Sequence, residues 1–523
     1  MTFDRPDHPP APSSEAGEGW ICPAKMPPPT APRHRLLAHL SDPFQTSGRT
    51  DRLLVALFAA MHAVLLYNAV LHHPRINYDG AAHIKYLDPL SQMRLPDEGE
   101  GEHFSPHLPY LGPALVHTIG TAVGLPGMHS LGLAAKAYQF QNLLCSLVLV
   151  FFVLKLTKAT WPVSRIHRRA ALCLLGMMPV YYKSFAFPRG EPMLATMVVV
   201  SMVLAMRVFV QFRFERRYLV GLALAAGAAT LSRQWGVFLF PAVGIYVLIS
   251  LYWDRAGAAR RLACAFVIAL AAMLIGATYY GSVYQRFGSI TAFNREGAAR
   301  FSFSNQPTEF YVGLGLDSIF RRPFARSFAN QFLPIFYSEF WGDYWGYWVF
   351  AARDTRGGAD PHYQGPKVEA AVEQAGGHMP DWLWSNHEHV MAMMGRVNLV
   401  SLIPTALLLI GFGSGLAMLA RLVMGRSDVT LKVGGLMTLL VMCSFAGYFW
   451  FLIRYPNPGK GDTIKAVYML QTYPLIAILT ANVLAVMREK FRPLYWVVAV
   501  LLGLVFLHNL PVLFTRYPFL PVG

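Results

Sequence analysis

Cysteine and acid are the scarce residues of this 523-residue chain. The five cysteines (Cys22, Cys145, Cys173, Cys264 and Cys443) show no CxxC or metal-ligand spacing, and four fall inside apolar runs. That argues against a disulfide framework or a structural zinc site and for thiols acting as small buried hydrophobes. Charged residues are only 14% of the chain, with 29 Asp plus Glu against 45 Lys plus Arg. A soluble globular domain carries about 25% charge, so that class fits poorly. No internal repeat is visible, which weakens a transporter built from two related halves. The first fifty residues lack an apolar h-region, so no cleavable signal peptide is expected and the first span is the targeting signal.

Apolar residues are plentiful: 54% of the chain is hydrophobic and the mean hydropathy is +0.37. Runs of roughly 17 to 25 apolar residues are long enough to cross a bilayer core. They fall at about 52–71, 131–154, 170–186, 192–210, 218–232, 235–253, 262–280, 397–420, 432–452, 466–487 and 493–511. The expected fold is therefore an all-α polytopic membrane protein of about eleven transmembrane helices (range 10 to 13), with interfacial helices and an external loop domain. Residues 1–51, rich in Pro and Ser, read as a disordered cytoplasmic tail. A membrane module over 52–280 contains the first external loop, 72–130; an external region over 281–396 and C-terminal membrane helices over 397–523 follow.

The net charge of +16 does not point to nucleic acid, because the basic residues are dealt out between spans rather than gathered in one patch. They decide the topology instead. Reading 108–124 as a helix lying in the interface puts the clusters 155–169, Arg213/Arg216/Arg217, Arg255/Arg260/Arg261, Arg421/Arg426/Lys432 and Arg488/Lys490/Arg492 on one side with the N-terminus. The N-terminus is then cytoplasmic and the C-terminus external. The loops 72–130, 187–191, 232–235, 281–396 and 454–465 share the external face, where function is expected.

Tyr78-Asp79-Gly80-Ala81-Ala82-His83 follows the first span. A carboxylate at the foot of a membrane helix is a functional-site candidate, and His83 lies four residues on, on the same face of a helix. Glu102-His103-Phe104-Ser105-Pro106-His107 leads into the interfacial helix, where Glu102 can supply a second acid. His83, His103 and His107 leave a divalent metal open as an alternative to polar substrate contacts. Glu191 heads a membrane helix, either as a cap on its positive end or as a site acid. Arg189, Arg233, Arg454 and Lys465 share the external face, where they either neutralise a phosphate or anchor to headgroups. Residues 313–334 read as an amphipathic helix on the membrane. Tyr337, Asp343 and Tyr344 belong to an aromatic block, 336–348, suited to sugar faces or to an interfacial belt.

These motifs resemble the GT-C superfamily of polytopic glycosyltransferases that use polyprenyl-phosphate sugars, most of all bacterial members related to protein O-mannosyltransferases and to the lipid A aminoarabinose transferase. The resemblance spans about 52 to 490 and rests on Tyr78-Asp79 through Leu87, Glu102 to Tyr110, the Tyr337–Tyr347 block and Gly461-Asp462-Thr463-Ile464-Lys465-Ala466. It implies a catalytic base or acceptor-orienting acid at Asp79, with Glu102 as second acid. Tyr78, His83, His103, Glu191, Tyr337, Asp343 and Tyr344 are the expected substrate contacts, and Arg189, Arg233, Arg454 and Lys465 the expected donor-phosphate contacts. The chain departs from the pattern at Gly80, where O-mannosyltransferase-like members often have Glu, and at Ser105, where aminoarabinose transferases place a phosphate-binding Lys.

The expected activity is inverting transfer of a sugar from a polyprenyl-phosphate donor to a lipid, glycan or protein acceptor at the external face of a bacterial inner membrane, with membrane lipids as further partners. Two rivals stand beside it: an O-antigen polymerase or ligase working through external Arg and His, and a lipid-linked sugar flippase. Charges concentrated at span ends speak against transport.

Overall fold

The computed structural model describes residues 41–515 except 76, 254, 256, 291–292, 294–296, 299, 322, 324–329, 350–391, 458–460 and 462. From Pro43 onward the chain forms one unit. The first helix, α1 (Arg52–Leu71), starts where Asp51 accepts the amide N–H of Leu54 at 3.2 Å. It buries one stripe, Leu54, Met61, Leu65 and Ala69, and leaves Leu53, Val55, Leu66 and Val70 exposed. That pattern suits a helix between a protein core and lipid, where the outer face has no reason to be polar.

Short helices α2 (Gly80–Lys85) and α3 (Leu87–Ser91) fill the first loop, and α4 (Leu108–Ala122) follows. Along α4, Tyr110, Pro113, Ala114 and His117 are buried. Leu111, Leu115, Ile119 and Val123 form an exposed apolar row at four-residue spacing, as an interfacial helix requires. Next come α5 (Gly127–Thr160), α6 (Arg165–Gly176), α7 (Pro179–Ala186), α8 (Glu191–Ala205), α9 (Arg216–Ser232), α10 (Leu239–Trp253) and α11 (Ala258–Phe287). Between residues 281 and 396 lie α12 (Thr308–Val312), α13 (Leu316–Arg321) and α14 (Phe332–Trp341). The chain closes with α15 (Leu402–Val423), α16 (Val429–Arg454), α17 (Tyr473–Lys490) and α18 (Arg492–Asn509).

The expected spans are helical over most of their length. Among the described residues, eight helices are long and apolar enough to cross a membrane. The other three expected spans are modified. Residues 170–186 split into α6 and α7, because Pro179 has no N–H to continue a helix and instead starts one. Helix α9 has 17 residues; in the expected span 466–487 a 3-10 turn over Ala466–Met469 precedes α17, which starts at Tyr473 and ends in Arg488-Glu489-Lys490.

Two expectations change in extent. Residues 45–50, placed in the disordered tail, form a hairpin of β1 (Gln45–Thr46) and β2 (Arg49–Thr50). The buried guanidinium of Arg168 holds it through the carbonyls of Pro43 at 2.7 Å and Gln45 at 2.8 Å; residues 1–40 lie outside the described residues, with Cys22 among them. The single helix expected over 313–334 is interrupted at Gly313–Gly315, where Gly315 has φ +52°. Its continuation, with Arg322 and Arg326, is outside the described residues, as is 350–391.

Polar side chains within the bundle fasten the loops that build the site. Gln139 of α5 donates to the carbonyls of His72 (3.1 Å) and Ala186 (2.7 Å), and Asn142 to that of Phe187 at 2.7 Å. These carbonyls lie at the ends of α1 and α7, where helix geometry leaves them without partners. The residues after each helix, 72–79 and 187–190, are thereby held side by side.

Candidate active site at one end of the bundle

Asp79 adopts a left-handed backbone, φ 60° and ψ 16°, immediately before α2. Few residue types tolerate this region, Asp among them. The next position must be glycine: a Cβ on Gly80 would collide with Asn77 and lie 2.8 Å from the carbonyl of Arg75. The departure from the Asp-Glu pair thus has a steric cause, and a second acid has to come from elsewhere in the chain.

It comes from Glu102. Asp79, Glu102, Ser105, Arg233 and Lys465 form the polar wall of a cavity of about 210 Å³. Trp235, Phe293, Phe451, Tyr455 and Tyr468 supply an aromatic wall. Lys465 Nζ meets Asp79 Oδ2 at 2.6 Å, with 42% of the Asp79 side chain still exposed. Glu102 accepts from Ser105 Oγ at 3.1 Å and lies 3.8 Å from Arg233. Arg233 also donates to Ser105 Oγ at 2.5 Å, so the serine bridges cation and acid.

Behind the cavity, Glu191 organises the two guanidiniums. Its carboxylate accepts from Arg189 Nε at 3.0 Å and Arg233 Nε at 2.9 Å, with no exposure of its own. Arg189 keeps Nη1 without a hydrogen-bond partner among the described residues. Tyr78 and Tyr468 place their ring faces against Arg189 (5.0 and 5.6 Å) and Lys465 (5.3 and 5.7 Å), which favours cations in a partly dry site.

The two acids are driven apart. Burial pulls the Asp79 carboxyl upward, but the Lys465 ammonium, its hydrogen bond and Arg189 outweigh it and hold the group well below the usual carboxylate range. Burial, with the negative charge of Asp79, pushes Glu102 up despite Arg233 and Lys465. One carboxylate stays ionised while its neighbour holds a proton more readily, the arrangement that separates acid from base roles.

Tyr78 is fixed from beneath by a charged network. Its hydroxyl makes a short hydrogen bond to Glu339 of α14. Lys183 of α7 donates to the same carboxylate at 3.1 Å and to the backbone carbonyls of Glu339 (2.5 Å) and Gly342 (2.7 Å). Lys183 and Glu339 are each 1% exposed. Neither was singled out from the sequence. A lone lysine inside an apolar run (Tyr181-Tyr182-Lys183-Ser184) is the signal that points to it, since a charge there needs a partner. It also qualifies the reading that charges gather at span ends.

The remaining expected contacts lie off the cavity wall. Asp343 is buried, and its carboxylate accepts the amide N–H groups of Tyr347, Trp348 and Val349 at 3.2, 2.9 and 2.7 Å. Tyr344 is fully buried against Trp345. Tyr337 donates to the carbonyl of Asn398 at 2.7 Å. His83 is buried on the Tyr110 hydroxyl at 2.6 Å; burial first, then Arg233 and Arg189, press its pKa well down, so the ring is neutral. His103 packs at a tilt against Phe104, at 4.0 Å between ring centres. Arg454 ends α16 beside Tyr455, with Nη1 unpartnered among the described residues. Among the described residues no group of three or more His, Cys, Asp or Glu side chains is placed to hold a metal ion. Arg321, one of the external arginines, pairs with Asp317 at 3.0 Å on the surface, and Asp462 lies outside the described residues.

No protein-family model and no curated protein matches the chain by sequence. Among solved structures it is similar to the archaeal oligosaccharyltransferase AglB from Archaeoglobus fulgidus, in complex with an inhibitory peptide and a dolichol-phosphate (TM-score 0.45, 12% identity), over 89% of this chain and 56% of that one. The apo form of the oligosaccharyltransferase from the same organism gives TM-score 0.45 and 13% identity over the same shares. The chain thus spans little more than half the length of these two. It is also similar to ArnT from Cupriavidus metallidurans bound to undecaprenyl phosphate, with TM-score 0.33 and 15% identity over 83% of this chain and 79% of that one.

Proposed function

We propose that the chain is a membrane glycosyltransferase that moves a sugar from a polyprenyl-phosphate donor onto an acceptor hydroxyl at the external leaflet of a bacterial inner membrane. The observation that carries this reading is the single cavity in which Asp79 and Glu102 face Lys465 and Arg233 before a wall of aromatic rings. Aromatic faces suit a sugar, the cations suit a phosphate, and a carboxylate beside both suits a hydroxyl.

The acceptor oxygen attacks the anomeric carbon on the face opposite the phosphate, and its proton passes to Asp79. The bond from the anomeric carbon to the phosphate oxygen breaks, and its electron pair leaves with polyprenyl phosphate. Lys465 and Arg233 meet the charge that develops, with the free Nη1 of Arg189 behind them. Lys465 pairs with Asp79 at 2.6 Å. A bound phosphate competes for that ammonium, and as Lys465 turns toward it the Asp79 pKa rises and the carboxylate becomes a better base.

A second reading keeps the reaction and exchanges the acids. Because Glu102 is the carboxyl pushed upward, it takes the proton while Asp79 orients the acceptor. Turnover of a panel of polyprenyl-phosphate sugars by the purified full chain, followed by freed lipid phosphate, tests the site. Lys465→Met is expected to lower donor use at least tenfold; donor use equal to wild type would remove the phosphate role.

A further inference from the structure

The acids and cations that line the cavity beside Asp79 are paired with one another. Gln234, on the same wall, donates from Nε2 to the carbonyl of Phe104 at 2.6 Å. Thr463 is different. It lines the cavity too, yet its Oγ1 is buried without a hydrogen-bond partner among the described residues. A buried hydroxyl left unpaired costs stability, and its retention calls for a reason.

The backbone that carries this hydroxyl is fixed. The Ile464 amide donates to the carbonyl of Gly461 at 2.9 Å and closes a turn. The Tyr448 hydroxyl, from α16, accepts the Lys465 amide N–H at 2.8 Å and lies 3.3 and 3.2 Å from the carbonyls of Thr463 and Lys465. The Tyr448 ring in turn meets two rings of the cavity wall edge-on, Trp235 at 6.2 Å and Tyr468 at 6.0 Å between centres. Ile464 enters the core with no exposure, while the residues on either side of it, Thr463 and Lys465, line the cavity. One short segment thus brings a hydroxyl-bearing and an ammonium-bearing side chain to the same space, beside the aromatic wall.

We propose that Thr463 is a specificity-determining residue whose Oγ1 hydrogen-bonds a hydroxyl of the donor sugar. The inference rests on the reading of the cavity as a sugar-phosphate site and names what selects the sugar there. A threonine hydroxyl both donates and accepts, as a sugar hydroxyl does; phosphate oxygens only accept, and Lys465 and Arg233 already offer them N–H donors. Sugar and phosphate are joined directly in the donor, so a hydroxyl two residues from Lys465 belongs beside the sugar. A site that hydrogen-bonds a substrate hydroxyl discriminates against a sugar that lacks it or points it elsewhere.

The test is equilibrium binding to the purified full chain in phosphatidylcholine nanodiscs, with undecaprenyl phosphate and its mannose, glucose and galactose conjugates as probes. Wild type is expected to prefer one conjugate, and Thr463→Val to weaken that one about three- to tenfold while leaving undecaprenyl phosphate unchanged. Thr463→Ser, which keeps the hydroxyl, is expected to restore the preference. Because Oγ1 has no partner among the described residues, Thr463→Val without added lipid is expected to unfold at or above the wild-type temperature. A lower temperature overturns the proposal by giving the hydroxyl a structural role. Equal binding of the three conjugates by wild type, or wild-type affinity of Thr463→Val for all of them, overturns it as well. Equal weakening of undecaprenyl phosphate in Thr463→Val also overturns it, by assigning the hydroxyl to the phosphate. Lys465→Met distinguishes failure of the underlying reading: undecaprenyl phosphate bound as tightly as by wild type removes the phosphate site and this inference together. Weakened binding there, with Thr463→Val at wild-type affinity throughout, removes the role of Thr463 alone.

Discussion

At one end of the bundle Lys465, Arg189 and Arg233 stand within 4 Å of Asp79, Glu191 and Glu102. At the other, Arg260, Arg261 and Lys432 lie over the faces of Phe214, Phe212 and Trp253. The same cationic side chains serve different ends because of what they face. Carboxylates fix cations in position and move the pKa values of both partners, which suits proton transfer and a leaving phosphate. Aromatic faces hold cations more weakly than carboxylates do.

If the comparison is sound, variants at the two ends separate cleanly. Asp79→Asn keeps a residue that tolerates the left-handed backbone and is expected to lower transfer by about 10²–10⁴-fold, with the thermal unfolding temperature near wild type. Lys183→Met strands the buried Glu339 carboxylate and is expected to destabilise by about 3–5 kcal/mol, read by denaturant unfolding. Recovery of most of that loss in a Lys183→Met/Glu339→Met double variant would separate the pair's burial from any need for its charge.

A smaller effect distinguishes the two acids. With Glu102 pushed up and Asp79 held down, transfer is expected to fall on the acid side as Glu102 protonates. The acid limb of the pH–rate profile then moves to lower pH in Glu102→Gln. Stability behaves differently. The folded pKa of Asp79 lies below its unfolded value of about 3.9, so the Asp79–Lys465 pair contributes fully above that pH. The contribution is lost as pH falls toward the folded value, and a pH series of unfolding temperatures should lose this component in Asp79→Asn. The smallest effect is at the far end: Arg260→Ala, which removes an exposed guanidinium over Phe214, is expected to change transfer less than twofold, and a large loss of transfer would contradict the separation of the two ends.

Much of this arrangement was legible in the chain. Apolar run length locates most of the helices, and charge alternation assigns Asp79, Glu102, Arg189, Arg233 and Lys465 to loops that the fold brings together. What stayed hidden depends on packing between distant segments. Lys183 and Glu339 meet across 156 positions, which no local pattern encodes. In the 336–348 block, aromatic density is the same whether rings pack inward or face a ligand, so only the fold shows Tyr344 buried and Asp343 engaged by its own backbone. Gly80 reads as a missing acid in the sequence and as a steric requirement once Asn77 and Arg75 surround it. The break between α6 and α7 was signalled by Pro179, within a hydrophobic run that looked continuous.

The most direct test of the central claim is transfer of radiolabel from polyprenyl-phosphate sugars to a new product by the full chain in native membrane extract, wild type beside Asp79→Asn. Label leaving the donor lipid in the wild type and remaining on it in the variant is the predicted result; transfer at wild-type rate by Asp79→Asn would contradict it.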